Sequence, residues 1–164
     1  MEGATMPNLQ RMTAKRLGEI FTHSGLVSTE QLEETLADQE KTGKHLGELL
    51  VERGYVTERD VAEAIASQFS LPYLSPAQYF VSSEMASVLP LEVMTKHHLV
   101  PIDKLGKILM VVIAGPVDND VLEKIEKETD STLQMYVGML SEVTAAIEKL
   151  TETAKKAKDR KKTT

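Results

Sequence analysis

A stretch of this sequence occurs twice, 29 residues apart. Arg16-Leu17-Gly18-Glu19 returns as His45-Leu46-Gly47-Glu48, Phe21 as Leu50, and Gly25-Leu26-Val27 as Gly54-Tyr55-Val56. Further on, Leu32 answers to Val61, Leu36 to Ile65 and Gln39 to Gln68. A period of this size marks a duplicated supersecondary unit. Such a unit sets the same groups twice about an approximate local axis, which suits a ligand or partner that is itself two-fold.

Each copy reads as two short helices. Leu17, Ile20 and Phe21 form one apolar stripe, and Gly25 stops it in the left-handed region. Ser28 with Gln31 is a capping box, after which Leu32, Leu36 and Gln39 share a face. The second copy repeats the design with Leu46, Leu49 and Leu50, the stop Gly54, the cap Thr57 with Asp60, and the face Val61, Ala64, Ile65 and Gln68. The short linker Glu40 to Lys44 predicts that the two hairpins pack together. Beyond Leu71-Pro72-Tyr73 the period changes. Ser83 to Leu89 and Leu91 to His98 read as short helices broken at Pro90. Val100 to Ile102 and Lys107 to Ile113 read as a β-hairpin, Pro116 to Thr129 as a helix, Thr132 to Val137 as a strand, and Ser141 to Lys155 as a closing helix. The expected fold class is therefore α+β, a tandem helical repeat followed by a small β-β-α-β-α layer. The expected division is a flexible N-terminus over 1–14, the repeat over 15–75, the layer over 76–150, and a basic flexible tail over 151–164.

Composition excludes several function classes. No cysteine is present, so thiol nucleophiles, disulfides and zinc-thiolate sites are ruled out, and the absence fits a cytoplasmic setting. The longest apolar run, Ile108 to Ala114, is a strand's length and too short to cross a bilayer. The chain carries a net charge of −6, unevenly spread: residues 151–164 are +4, with six Lys/Arg against Glu152 and Asp159, and residues 1–150 are −10. Such an acidic body suits no duplex nucleic acid, whose binding rests on phosphate neutralisation. There is no Gly-rich phosphate loop followed by Lys-Ser/Thr, no Gly-x-Ser-x-Gly elbow and no His-Glu-x-x-His helix. His97-His98 forms no chelate at helical spacing and reads as surface or boundary histidine. The expectation is a chain with no catalytic residues, no metal and no cofactor.

The repeat holds the informative groups. A glycine early in a helical stripe costs about 1 kcal/mol relative to alanine, and Gly18 and Gly47 repeat that cost. Either a helix packs closely there or a flat ring lies on exposed amides. Gln39 and Gln68 each offer an amide that reads a donor–acceptor edge, and Arg16 offers a planar cation. The same leucines would occupy the same stripes if they only built a helical core.

The motif Arg-Leu-Gly followed by a large apolar residue, a Leu-x3-Leu-x2-Gln run and a second copy five residues on resembles the MshEN module. That module forms the N-terminal part of many type II secretion and type IV pilus assembly ATPases and in some of them binds cyclic di-GMP. The resemblance spans residues 15–150 and takes in Leu71-Pro72-Tyr73, His98 to Pro101 and Ile113 to Pro116. It implies a ligand site of Arg16, Leu17, Gly18, Phe21, Leu32, Leu36 and Gln39 in the first copy. In the second it implies His45, Leu46, Gly47, Leu50, Val61, Ile65 and Gln68. By that resemblance Arg16 stacks on guanine or contacts phosphate, the glutamines hold polar groups, and the aliphatic residues form the floor. His45 stands where a second arginine would be the stronger choice. In those ATPases a long catalytic region follows the module, so the expectation here is a stand-alone regulatory or adaptor protein, or a component separate from its motor. The competing expectation is a nucleotide-free module that docks on cytoplasmic parts of a secretion or pilus machine. For that reading an exposed edge strand in the α+β half would recruit the partner by strand addition.

Overall fold

Both copies of the repeat fold as helix pairs: α1 (Ala14–His23) with α2 (Thr29–Thr42), and α3 (Leu46–Glu52) with α4 (Glu58–Phe69). The computed structural model describes residues 14–162, with side chains from 17 to 160. The N-terminal segment 1–13 and the side chain of Arg16 lie outside the described residues. Each second helix opens on the capping box its sequence announces. Gln31 N donates to Ser28 Oγ at 3.1 Å while Ser28 N donates to Gln31 Oε1 at 2.9 Å. Thr57 and Asp60 exchange the same two bonds at 3.1 and 2.8 Å. Gly25 and Gly54, one in each copy, turn the chain between the paired helices at φ of 80° and 74°. A side chain there would be strained, so both stops need glycine.

The first helices form the centre of the repeat. α1 and α3 pack on each other, and each also touches both α2 and α4. This is the approximate two-fold arrangement that the repeat predicts. Arg53 of copy two forms an ion pair with Asp38 of copy one, tying the hairpins together at the surface.

The second half begins with a 3-10 turn at Ser83–Ser87, followed by α5 (Leu91–His97), β1 (Leu99–Leu105), β2 (Ile108–Ile113), α6 (Asn119–Thr129), β3 (Thr132–Val137) and α7 (Leu140–Lys162). The strand order is β1-β2-β3, with β1 antiparallel and β3 parallel to β2. Central β2 is buried on both faces from Leu109 onward. That is why it reads as an unbroken apolar run rather than an alternating one. One core joins the halves: Leu17, Phe21, Leu50 and Ile65 of the repeat belong to the same buried cluster as Leu109, Ile113 and Val143.

Several boundaries differ from the sequence reading, among them β1, which runs from Leu99 to Leu105 rather than Val100 to Ile102. The helix expected at Ser83 is a single 3-10 run ending at Ser87. α6 starts at Asn119 rather than Pro116, because Asp118 is extended (φ −63°, ψ 142°) and serves as its N-cap. α7 continues past Lys155 to Lys162, so the basic segment read as a tail is the last turns of a 23-residue helix. Cations there oppose the negative end of the helix dipole, which favours its extension.

Among the described residues, parts of both sheet edges are blocked against strand addition. On β3, Leu133 N donates to the Glu126 carboxylate at 2.9 Å and Val137 N donates to Pro72 O at 3.0 Å. Leu74 N donates to Val137 O at 2.9 Å, and Tyr73 bridges to the same residue. On β1, alternation from the bond between Ala114 N and His98 O turns the nitrogen of Pro101 outward. Proline has no donor to give, and a bulge between Pro101 and Asp103 bends the strand further.

Candidate functional site

The two glycines of the motif are explained by their neighbours. A Cβ on Gly18 would lie 2.6 Å from Leu32 Cδ1 and 2.9 Å from Cδ2. A Cβ on Gly47 would lie 3.1 Å from Val61 Cγ1. Gly18 and Leu32 are 14 residues apart, as are Gly47 and Val61, so the same contact is made once per copy. Of the two readings of the bare backbone, close packing of the second helix on the first accounts for both glycines. Leu17 Cδ2 also approaches Gly47, at 3.9 Å from the same added Cβ, where the two copies meet.

Burial separates the candidate residues into two sets. Leu17, Phe21, Leu46, Leu50, Val61 and Ile65 are core residues. Leu32 and Leu36 are half-buried, as are Gln39 and His45, while Gln68 is exposed. The equivalence of the copies is therefore broken. Val61 and Ile65 are covered, whereas their counterparts Leu32 and Leu36 keep surface open to solvent. Gln68 lines a shallow depression with Glu19, Ile20, His23 and Ser24 of copy one, so the terminal glutamine of α4 reaches the far end of α1.

Copy two is covered because it is docked on the layer. A cleft at the junction is lined by Leu17, His45, Gly47, Glu48 and Val61 from the repeat, and by His98, Ala114, Gly115, Pro116 and Leu140 from the layer. Glu58, in the first turn of α4, accepts from Ser141 N at 3.0 Å and from Ser141 Oγ at 2.7 Å. His45 bonds through Nε2 to the Lys96 carbonyl oxygen at 2.8 Å. Its ring meets that of His98 edge-on, with centroids 4.4 Å apart and planes at 81°. A Cβ on Gly115 would meet His45 Nδ1 at 3.8 Å, ordinary van der Waals contact, so the ring lies against this backbone without requiring glycine.

His98 lies half-buried at a boundary, as the sequence reading has it, but its contact with copy two was missed. It caps α5 in a left-handed conformation, φ 49°, unusual for a residue other than glycine. That conformation directs the chain from α5 into β1. Its Nε2 lies 3.7 Å from Glu48 Oε2. Burial, and after it the His45 ring, push the His98 imidazole below the usual histidine value, and Glu48 only partly opposes them. The imidazole that faces Glu48 is thus uncharged near pH 7. Burial and the adjacent Lys96 lower His97 as well. No local sequence signal pairs residues 45 and 98; only the docking of α3 on the layer does so. Among the described residues no group of three or more His, Asp or Glu side chains is arranged to hold a metal ion, and no helix is long and apolar enough to cross a membrane.

Known proteins share this architecture. The chain is 26% identical over 134 residues to the type IV pilus assembly ATPase PilB of Myxococcus xanthus (strain DK1622), a match covering 82% of this chain and 24% of that protein. The chain thus spans about a quarter of the length of that curated relative. A structure of the N-terminal domain of XpsE superposes with a TM-score of 0.66 at 28% identity, covering 85% of this chain and 96% of the other. A structure of MshE with cdg (cyclic di-GMP) superposes with a TM-score of 0.63 at 24% identity, covering 82% and 98%, and so shares the fold. The sequence pattern of the MshEN domain matches residues 69–157, from the end of α4 into α7. With more than half of its 164 residues matched in this way, the chain belongs to the MshEN domain family.

Proposed function

We propose that this is a non-catalytic cyclic di-GMP receptor domain that regulates a type II secretion or type IV pilus machine from the cytoplasmic side. The observation that carries the reading is the approximate two-fold of the repeat, with α1 and α3 together at its centre. Cyclic di-GMP is itself two-fold, with two guanines and two phosphates. The open surface of Leu32 and Leu36 would take a ring or sugar face, and Gln39 and Gln68 would hold polar edges. Arg16 would supply the cation at the start of the first copy. Support also comes from MshE, whose structure with this dinucleotide has the same fold. Calorimetric titration with cyclic di-GMP, beside GTP and cyclic di-AMP, tests the reading. Selective binding, lost in Gln39→Ala and Gln68→Ala, is the expected result. No heat at high ligand concentration would sink it.

A second reading is a docking module that works without nucleotide. It is favoured by the commitment of Leu17, Phe21, Leu46, Leu50, Val61 and Ile65 to the core, and by the bond that holds His45 on Lys96. A secretion or pilus component that co-purifies equally well with and without cyclic di-GMP would select this reading.

A further inference from the structure

An apolar depression outside the repeat runs along α7. It is a groove of about 500 Å³ between the segment 76–83 and one face of that helix. Pro76, Ala77, Phe80 and Val81 form one wall, and Ala145, Ala146 and Leu150 belong to the other. No residue of the repeat lines it. Its walls are held in place independently of any occupant: Ser75 Oγ bonds to the Glu142 carboxylate, and Tyr79 donates to Asp103 Oδ2 at 3.2 Å. At its side Phe80 is 86% exposed, the most exposed large apolar side chain among the described residues. An aromatic ring left in water beside a preformed apolar groove is the anatomy of an interface anchor.

Shape and charge together select the occupant. The lining residues of α7 run from Glu142 to Lys156, which at 1.5 Å per residue is about 21 Å, or roughly four helical turns. That length fits a helix lying along α7 rather than a compact small molecule. Charge changes sign along it. At the start, Glu142 is occupied by Ser75; further on come Lys149 and Lys156, neither of them ion-paired among the described residues. Exposed Lys155 and Lys158 continue the basic stretch, in a segment of net +4 on a body of −10. Glu152 is the one acid within that half of the groove. An acidic partner is repelled by most of this protein and attracted here.

We infer that this groove docks an amphipathic helix of another protein. The helix lies antiparallel to α7, with an apolar stripe against Phe80, Val81 and Leu150 and acidic residues in its first turns, over Lys149 and Lys156. The antiparallel direction follows from the charges, because acids are favoured at a helix N-terminus and the lysines lie toward the C-terminal end of α7. A concave channel four turns long grips a row of side chains, whereas a bilayer surface would meet only its rims.

The test uses the full chain and fluorescein-labelled synthetic peptides of about 18 residues, a length of roughly five turns. One carries a Leu/Phe stripe and Glu in its first two turns, a second replaces those Glu by Lys, and a third scrambles the stripe. Fluorescence anisotropy is expected to show saturable binding of the acidic peptide, about ten-fold tighter than either control and weakened by salt. Phe80→Ser, and separately Lys149→Glu with Lys156→Glu, should each weaken it about ten-fold. These side chains are exposed or line an open groove, and circular dichroism confirms that the variants fold. Equal binding of the peptides, or undiminished binding by the folded variants, would overturn the inference. So would a preference for phosphatidylglycerol vesicles over the acidic peptide, or self-association of the chain abolished by Phe80→Ser. The outcome is independent of cyclic di-GMP binding, because the two surfaces share no residue.

Discussion

Copy one and copy two of the repeat obey the same local rules and end in different surroundings. Both have a glycine stop with positive φ, a capping box, and a bare glycine under an aliphatic residue of the following helix. In copy one, Leu32 and Leu36 remain half-exposed, and Leu26 is 46% exposed. In copy two, their counterparts Val61 and Ile65 are buried and Tyr55 is half-buried, because α3 and α4 rest on the layer. Duplication supplies two equal units; docking one of them gives the pair a fixed half and an open half.

Matched substitutions test this difference most strongly in the core. Ile65→Ala should cost about 2–5 kcal/mol, as for any fully buried aliphatic residue, and Leu36→Ala roughly half as much. Urea unfolding of both variants measures it, and equal losses would mean that copy two is not the fixed half. Next come the glycines. Gly18→Ala with Leu32→Ala should show a coupling of about 1–2 kcal/mol in a double-mutant cycle, and Gly47→Ala with Val61→Ala less than about 1 kcal/mol. The order follows the contacts, 2.6 Å to Leu32 against 3.1 Å to Val61.

The caps should behave alike. Ser28→Ala and Thr57→Ala each remove a capping hydroxyl and are expected to cost about 1 kcal/mol. A large inequality in thermal unfolding would show that the local code differs between the copies after all.

The smallest effect is that of pH, and it belongs to the contact between copy two and the layer. His97 and His98 have folded pKa values below the unfolded value of about 6.5. The unfolded chain therefore binds more protons, and stability falls as pH drops from about 6.5 through the folded values. The groups facing them are His45, Glu48, Lys96 and Asp118. His98→Asn should flatten this decline. Below about pH 6.5, hydrogen exchange should show α3 loosening before α1. Equal loosening of both helices would separate the histidine contact from the docking of copy two.

Much of the architecture could be read locally. The capping residues Ser28 and Thr57, the stops Gly25 and Gly54, the hairpin about Gly106 and the order of strands and helices follow from signals a few residues long. Less legible were the ends governed by longer contacts. Asp118 delays α6, and the basic turns of α7 look like a tail when only their polarity is read. The candidate site was legible as a set of positions, but not as a surface. Periodicity marks Leu32 and Val61 as equivalent and cannot tell that one keeps solvent and the other loses it.

The sequence by itself determined a duplicated helical hairpin, its caps and stops, and the small sheet that follows, because each depends on hydrogen bonds and side-chain directions within a turn or two. Only the tertiary structure decided which copy is docked, that His45 meets His98 across 53 positions, and that Glu126 and the segment 72–74 bond to the outer side of β3. Those outcomes depend on what covers an apolar face. A hydrophobic pattern shows that a face must be covered and carries no record of which element covers it.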